Sequence, residues 1–181
     1  MRVTRGLTAG LAAFLMTTGA LWAQTSGTTE NRVSADTDWQ VFEEDNSANP
    51  KRCWAVTAPT ETVNTRNGNV VSVNRSDILL MVFYEPGADI QGQVTFTGGY
   101  PFAENSKASL EIGSDTFDLI TDGEWAWPAS PEADSRIVTA MKRGVNAVIT
   151  ARSTRGTVTK DTFSLLGFTT QVGEAEKRCA S

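Results

Sequence analysis

The sequence predicts a mainly β domain: a single-domain β-sandwich or partly closed barrel carrying two short accessory helices. Three observations lead there. Apolar residues alternate with polar ones, or form short continuous runs, in about nine segments, the pattern of strands with one or both faces buried. Turn residues separate these segments at intervals of roughly 8–12 positions, as in all-β sandwiches and barrels. Only two segments combine a helical apolar period with end-capping residues.

The elements follow in order. Residues 39–42 (Trp-Gln-Val-Phe) open the folded body, and residues 52–57 form a second strand ended by Ala58-Pro59. Trp54, beside Cys53, is expected in the core next to that cysteine. Arg66-Asn67-Gly68-Asn69 is a hairpin-type turn, because Asn and Gly tolerate positive φ, and residues 70–73 lead out of it. Residues 78–84 are seven consecutive apolar residues stopped by Glu85-Pro86-Gly87, which suits a strand buried on both faces. Residues 93–97, 108–112 and 116–120 alternate, the last two joined by Gly113-Ser114-Asp115. Residues 124–127 place Trp125 and Trp127 on one side of a short strand. A helix is predicted from Ser130 as N-cap with Pro131 at the first position, through Ile137, Val138 and Met141, to Lys142-Arg143 and a Gly144 cap. Residues 145–152 and 158–165 form a hairpin around Ser153-Thr154-Arg155-Gly156. A last helix spans about 169–178, with Phe168, Val172, Ala175 and Cys179 on one stripe.

The first 23 residues place the chain. A basic start with Arg2 and Arg5 precedes an apolar run from Leu7 to Leu21 ending in small residues, the three-part pattern of a secretory signal peptide cut after Ala23. The run is short for a membrane span, which needs about 20 residues; a retained anchor is the alternative. Residues 24–36 read as a flexible, polar leader and residues 37–181 as one domain. The expected location is periplasmic or secreted, with no transmembrane segment left after cleavage.

The chain holds 16 basic and 21 acidic residues. Loss of Arg2 and Arg5 leaves 14 against 21, a formal charge of −7, which gives no global reason to bind nucleic acid. Charge is nonetheless segregated. Lys142, Arg143, Arg152, Arg155 and Lys160 fall in a stretch without acids, a candidate strip for an anionic polymer or lipid headgroup, or else simply a solvated face. The two cysteines, Cys53 and Cys179, are an even count in an exported chain and favour an intramolecular disulfide, with free thiols or an intermolecular bridge as alternatives.

Signals of catalysis are sparse. The chain has no histidine, which removes the usual Ser-His and Cys-His systems and most zinc sites. No phosphate loop, Gly-x-Ser-x-Gly elbow or calcium loop is present, so no catalytic residue, metal or cofactor is assigned. Glu111 with Asp118 or Glu124 could form a glycosidase pair only if they faced each other across a cleft. Tyr100, Phe102, Trp125 and Trp127 are a candidate aromatic platform for a sugar ring or a partner; the alternative is that they plug the ends of the core.

The carboxy-terminal third carries a resemblance. The strand at 145–152, the turn at 153–157 and the segment Asp161-Thr162-Phe163-Ser164-Leu165-Leu166-Gly167-Phe168 before the final helix resemble the ending of the invasion-associated locus B (IalB) family. Ser164, Leu165, Gly167 and Phe168 carry the most specific part. Trp39, Cys53-Trp54 and Pro86-Gly87 agree, although many members have further cysteines. The resemblance implies an exported, mainly β, envelope-associated protein, without an established catalytic activity or ligand site. The expected function is a non-catalytic binding or envelope-stabilising factor whose partner is an envelope component. The alternatives are a carboxylate-dependent hydrolase of envelope carbohydrate and a secreted host-contact factor. Gly167 is expected to turn the strand sharply into the helix, through positive φ or close backbone approach.

Overall fold

The computed structural model describes residues 31–46 and 49–180; the expected signal peptide and residues 24–30 of the expected leader lie outside them. Twelve strands follow one another as β1 (Arg32–Asp36), β2 (Trp39–Asn46), β3 (Asn49–Thr57), β4 (Glu61–Arg66), β5 (Asn69–Val70), β6 (Leu79–Glu85), β7 (Ile90–Thr97), β8 (Lys107–Ile112), β9 (Asp115–Asp122), β10 (Trp125–Trp127), β11 (Asn146–Arg152) and β12 (Val158–Ser164). Helix α1 (Pro131–Arg143) lies between β10 and β11, and α2 (Phe168–Cys179) ends the domain. The architecture is therefore mainly β with two helices, as the periodicity predicts.

All strands belong to one antiparallel sheet in the order β1-β2-β3-β6-β7-β10-β9-β8-β11-β12-β4-β5. The sheet does not close, yet it bends back on itself. Phe96 of β7 meets Phe163 of β12 edge-on at 6.0 Å although four strands separate them in the sheet. Trp39 of β2 likewise donates its indole N–H to the Ser164 carbonyl of β12 at 2.9 Å. The inward residues of both halves, among them Val41, Leu80, Val94, Phe96, Leu110, Ile149 and Phe163, form one core.

The sequence expectation needs three corrections. The folded body starts one strand earlier than Trp39, because residues 32–36 of the supposed leader pair with β2. Strands β1 and β4 escape a periodicity search since most of their residues are exposed or half-buried, so neither needs alternation. Trp54 sits on the face opposite Cys53, as period-two geometry requires. It stacks between Phe42 and Phe83, 5.7 and 5.9 Å away, on the outer surface of β2, β3 and β6.

Local signals place both helices. The Ser130 hydroxyl accepts from the Ala133 N–H at 3.3 Å, Pro131 starts α1 and Gly144 ends it. On its inner face Asp134, 8% exposed, accepts a hydrogen bond from the Val94 N–H of β7 at 2.7 Å. Helix α2 packs along β2, β3 and β6, and Cys179 at its end is bonded to Cys53 of β3.

The tail motif explains how α2 is aimed. Gly167, at φ +87°, precedes the helix, and a Cβ there would collide with the Thr37 hydroxyl and the Asp36 carbonyl. Both expected reasons for glycine hold at once. Thr37 donates to the Leu166 carbonyl at 2.7 Å, and Phe168 packs edge-on against Trp39 at 4.8 Å. Residues 164–168 thus wrap the β1–β2 turn.

Two predictions follow from this packing. Gly167→Ala combines left-handed strain with a backbone clash and should lower unfolding free energy by at least about 2 kcal/mol in urea titration; a loss below half of that would contradict the role. Burial pushes the Asp134 carboxyl from 3.8 up to about 6, against the opposing effect of the Val94 hydrogen bond. The folded state therefore holds the proton more tightly than the unfolded one. Stability from this group is complete below pH 4 and is lost as pH rises towards 6, by on the order of 2 kcal/mol. Asp134→Asn keeps the acceptor for Val94 and should flatten the stability profile across pH 4–6 relative to wild type; identical profiles would refute the assignment.

Candidate functional site

At one end of the rolled sheet, four irregular segments and the end of β4 enclose a groove of about 550 Å³. Its size is that of a small-ligand site. Residues 98–101, after β7, form the middle of the floor. They are held on one side by the β9–β10 turn, where the Phe102 N–H donates to the Gly123 carbonyl at 2.8 Å. On the other side lies the β11–β12 turn, where the Thr154 N–H donates to the Pro101 carbonyl at 3.0 Å. The connection 71–78 between β5 and β6 forms a wall, and Arg66, the last residue of β4, closes the far end.

A buried ion pair fixes that wall. The Arg75 side chain is 5% exposed and that of Asp161 on β12 is fully buried. The guanidinium grips the carboxylate with two parallel bonds of 2.7 and 2.6 Å, donates to the Gly98 carbonyl at 2.8 Å, and reaches the Asn64 amide oxygen at 3.3 Å. It also lies 5.0 Å over the Tyr100 ring. Such a fork satisfies both charges in a dry site. Gly99 completes the seam: at φ +71°, any Cβ would lie 2.6 Å from the Ser76 carbonyl oxygen.

The remaining lining is mixed, with Val73 and Pro101 apolar and most other residues polar. The Tyr100 hydroxyl shares a 2.5 Å hydrogen bond with Thr159, and burial raises its pKa above the ordinary phenol value. Arg66 donates to the Thr157 hydroxyl from both Nε, at 3.2 Å, and Nη2, at 2.7 Å. Ser153, Thr154, Arg155 and Glu124 complete the walls. Such a surface can hold an anion and hydroxyl groups by hydrogen bonding.

The structure distributes the sequence-predicted residues unequally. Of the basic set, Arg155 alone lines this groove. Lys142 and Arg143 occupy the last turn of α1, and Arg143 borders a shallow depression between that helix and the β8–β9 turn. Arg152 and Lys160 are exposed on the outer face of β11 and β12, which is shared with Glu111. These five cations do not form one continuous strip. The aromatic set divides as well. Phe102, 5% exposed, belongs to the core beside Phe96, and Tyr100 meets it edge-on at 5.2 Å. Trp125, 45% exposed, and the half-buried Trp127 lie on the outer side of β10.

Glu111 and Asp118 are exposed, and Asp118 pairs with Lys107 at 2.7 Å. Only Glu124 of the candidate carboxylates enters the groove. Sequence reading missed Arg66, Arg75 and Thr157 as site residues. Arg66 could have been suspected from its place beside the Asn-Gly turn; Arg75 and Asp161 are 86 positions apart and carry no local signal. No helix among the described residues is long and apolar enough to cross a membrane. The chain matches no protein-family model, no curated protein and no solved structure.

Removing one member of the buried pair tests its role. Arg75→Met should cost about 3–5 kcal/mol in urea denaturation, because Asp161 would be left charged and unpaired. Combining it with Asp161→Leu should recover most of the loss. A single variant within 1 kcal/mol of wild type would remove Arg75 from this account.

Proposed function

We propose that this chain is an exported cell-envelope β-domain of the invasion-associated locus B type, acting as a non-catalytic binding or envelope-stabilising factor. Export rests on the three-part signal pattern of residues 1–23 and fits a disulfide-bonded fold, since such bonds persist in oxidising compartments. The family reading rests on residues 164–168 and their wrapping of Trp39. The single observation that carries the binding role is the groove at the end of the sheet, whose floor is hydrogen-bonded to two turns and whose mixed walls include Arg66 and Arg155. A glycosidase needs two carboxylates flanking the scissile bond, whereas Glu124 is the sole carboxylate on this lining. That contrast favours binding over hydrolysis.

Co-sedimentation tests the reading. The exported chain, mixed with peptidoglycan or with outer-membrane fragments, should pellet with one of them at low salt and be released as ionic strength rises, since exposed charges are screened. No pelleting with either at low salt would overturn an envelope partner.

A further inference from the structure

The charges lining the groove are unevenly distributed along its length. Segment 98–101 separates Glu124, beside Gly123, from the turn that carries Arg155. Arg66 lies beyond that turn, bonded to Thr157. Arg75 brings no net charge to the site because Asp161 cancels it in a two-bond fork. Arg66 and Arg155 are different. Neither has a carboxylate within ion-pair distance among the described residues. Two arginines without a carboxylate partner among the described residues therefore line the same groove, Arg66 bonded to Thr157 two positions after Arg155.

One of them is pre-oriented. Thr157 is 3% exposed, and its hydroxyl oxygen receives both Nε–H and Nη2–H of Arg66. The guanidinium plane is thereby held, while the N–H groups of Nη1 make no hydrogen bond among the described residues. Because the Thr157 oxygen accepts two bonds, its own proton remains available for an outside acceptor. Planar guanidinium donors match the two oxygens of a carboxylate or phosphate. The hydroxyls of Ser153 and Thr154 border the same end and can bond to hydroxyls of a ligand. The chain as a whole is net acidic, at −5, so a long polyphosphate would meet repulsion outside the groove.

We infer that the groove is a binding site for an acidic saccharide, whose oxyanion is held between Arg66 and Arg155 and whose hydroxylated body lies along Tyr100, Ser153 and Thr154. This deepens the envelope-binding reading by naming the chemistry of its ligand. A carboxylate and a phosphate ester share that chemistry, so the test carries both.

Isothermal titration of the exported chain uses trigalacturonate as carboxylate probe, glucose 1-phosphate as phosphate probe and maltotriose as neutral control. At least one acidic probe should bind, with maltotriose at least tenfold weaker. Arg66→Gln and Arg155→Gln should each weaken the acidic probe about tenfold or more, the effect of one lost charge-assisted hydrogen bond. Arg66→Lys should restore only part, because it keeps charge without the fork. Lys177→Gln, on the exposed face of α2, should bind like wild type. Arg66 and Arg155 are both exposed, so unchanged thermal midpoints are expected and would exclude misfolding. Heat from neither acidic probe, equal binding of maltotriose, or an equal loss in Lys177→Gln would overturn the site. Envelope pelleting that survives in the Arg66→Gln/Arg155→Gln double variant would sink this inference and leave the envelope reading standing. Probe binding without pelleting would do the reverse.

Discussion

The fold closes on Trp39. A sheet of twelve strands with one apolar face must bend until that face meets itself, and something must join the two ends where they approach. Trp39 is fully buried, bonded through its indole N–H to the Ser164 carbonyl and packed edge-on against Phe168. One residue near the start of the domain thereby ties β2 to the end of β12 and to the first turn of α2. The neighbouring Thr37 and Asp36 repeat the contact through Leu166 and Gly167. With α2 aimed in this way, its far end reaches β3, and the Cys53–Cys179 bond fixes the helix at its second point. A closed chain segment of about 100 residues is worth up to about 4.7 kcal/mol in the chain-entropy model. The disulfide therefore secures a helix direction already set by packing.

The groove depends on a second constraint, with a different energetic character. Arg75 and Asp161 contribute little net stability as a pair, because desolvation offsets most of their attraction. What they provide is position. The eight residues 71–78 have no regular structure, and the Arg75 fork together with the Ser76–Gly99 hydrogen bond attaches them to β12 and to the end of β7. Without that attachment the wall of the groove would be an unsupported loop. Buried ionic pairs serve here to choose one conformation among several of similar energy, a use that apolar packing of so polar a segment could not supply.

Legibility in the sequence follows the range of the physics. Helix α1 could be read nearly to the residue, because Ser130, Pro131 and Gly144 act on their immediate neighbours. The hairpin of β11 and β12 was legible for the same reason, from its Ser-Thr-Arg-Gly turn. Cysteine count anticipated the disulfide. Strands β1 and β4 were hidden because their residues are exposed or half-buried, so no apolar alternation marks them. Trp54 was misplaced by treating a sequence neighbour of Cys53 as a spatial one, although alternate residues of a strand point to opposite faces. The groove was least legible of all. Its cations and hydroxyls come from β4, a connection, a turn and β12, and only the bending of the sheet brings them together.

The proposed site asks how an acidic protein would favour an anion at one place. Beyond a Debye length, about 8–10 Å at moderate salt, exposed charges are largely screened, so a concave site is governed mainly by the charges on its own walls. Arg155 was legible as part of a basic stretch, yet its stretch is dispersed over a helix end, an outer sheet face and a turn. Arg155 shares the groove lining with Arg66, a residue from another part of the chain, while Asp161 neutralises Arg75 there. Guanidiniums stay protonated throughout the accessible pH range. Anion binding there would accordingly respond to salt far more than to pH.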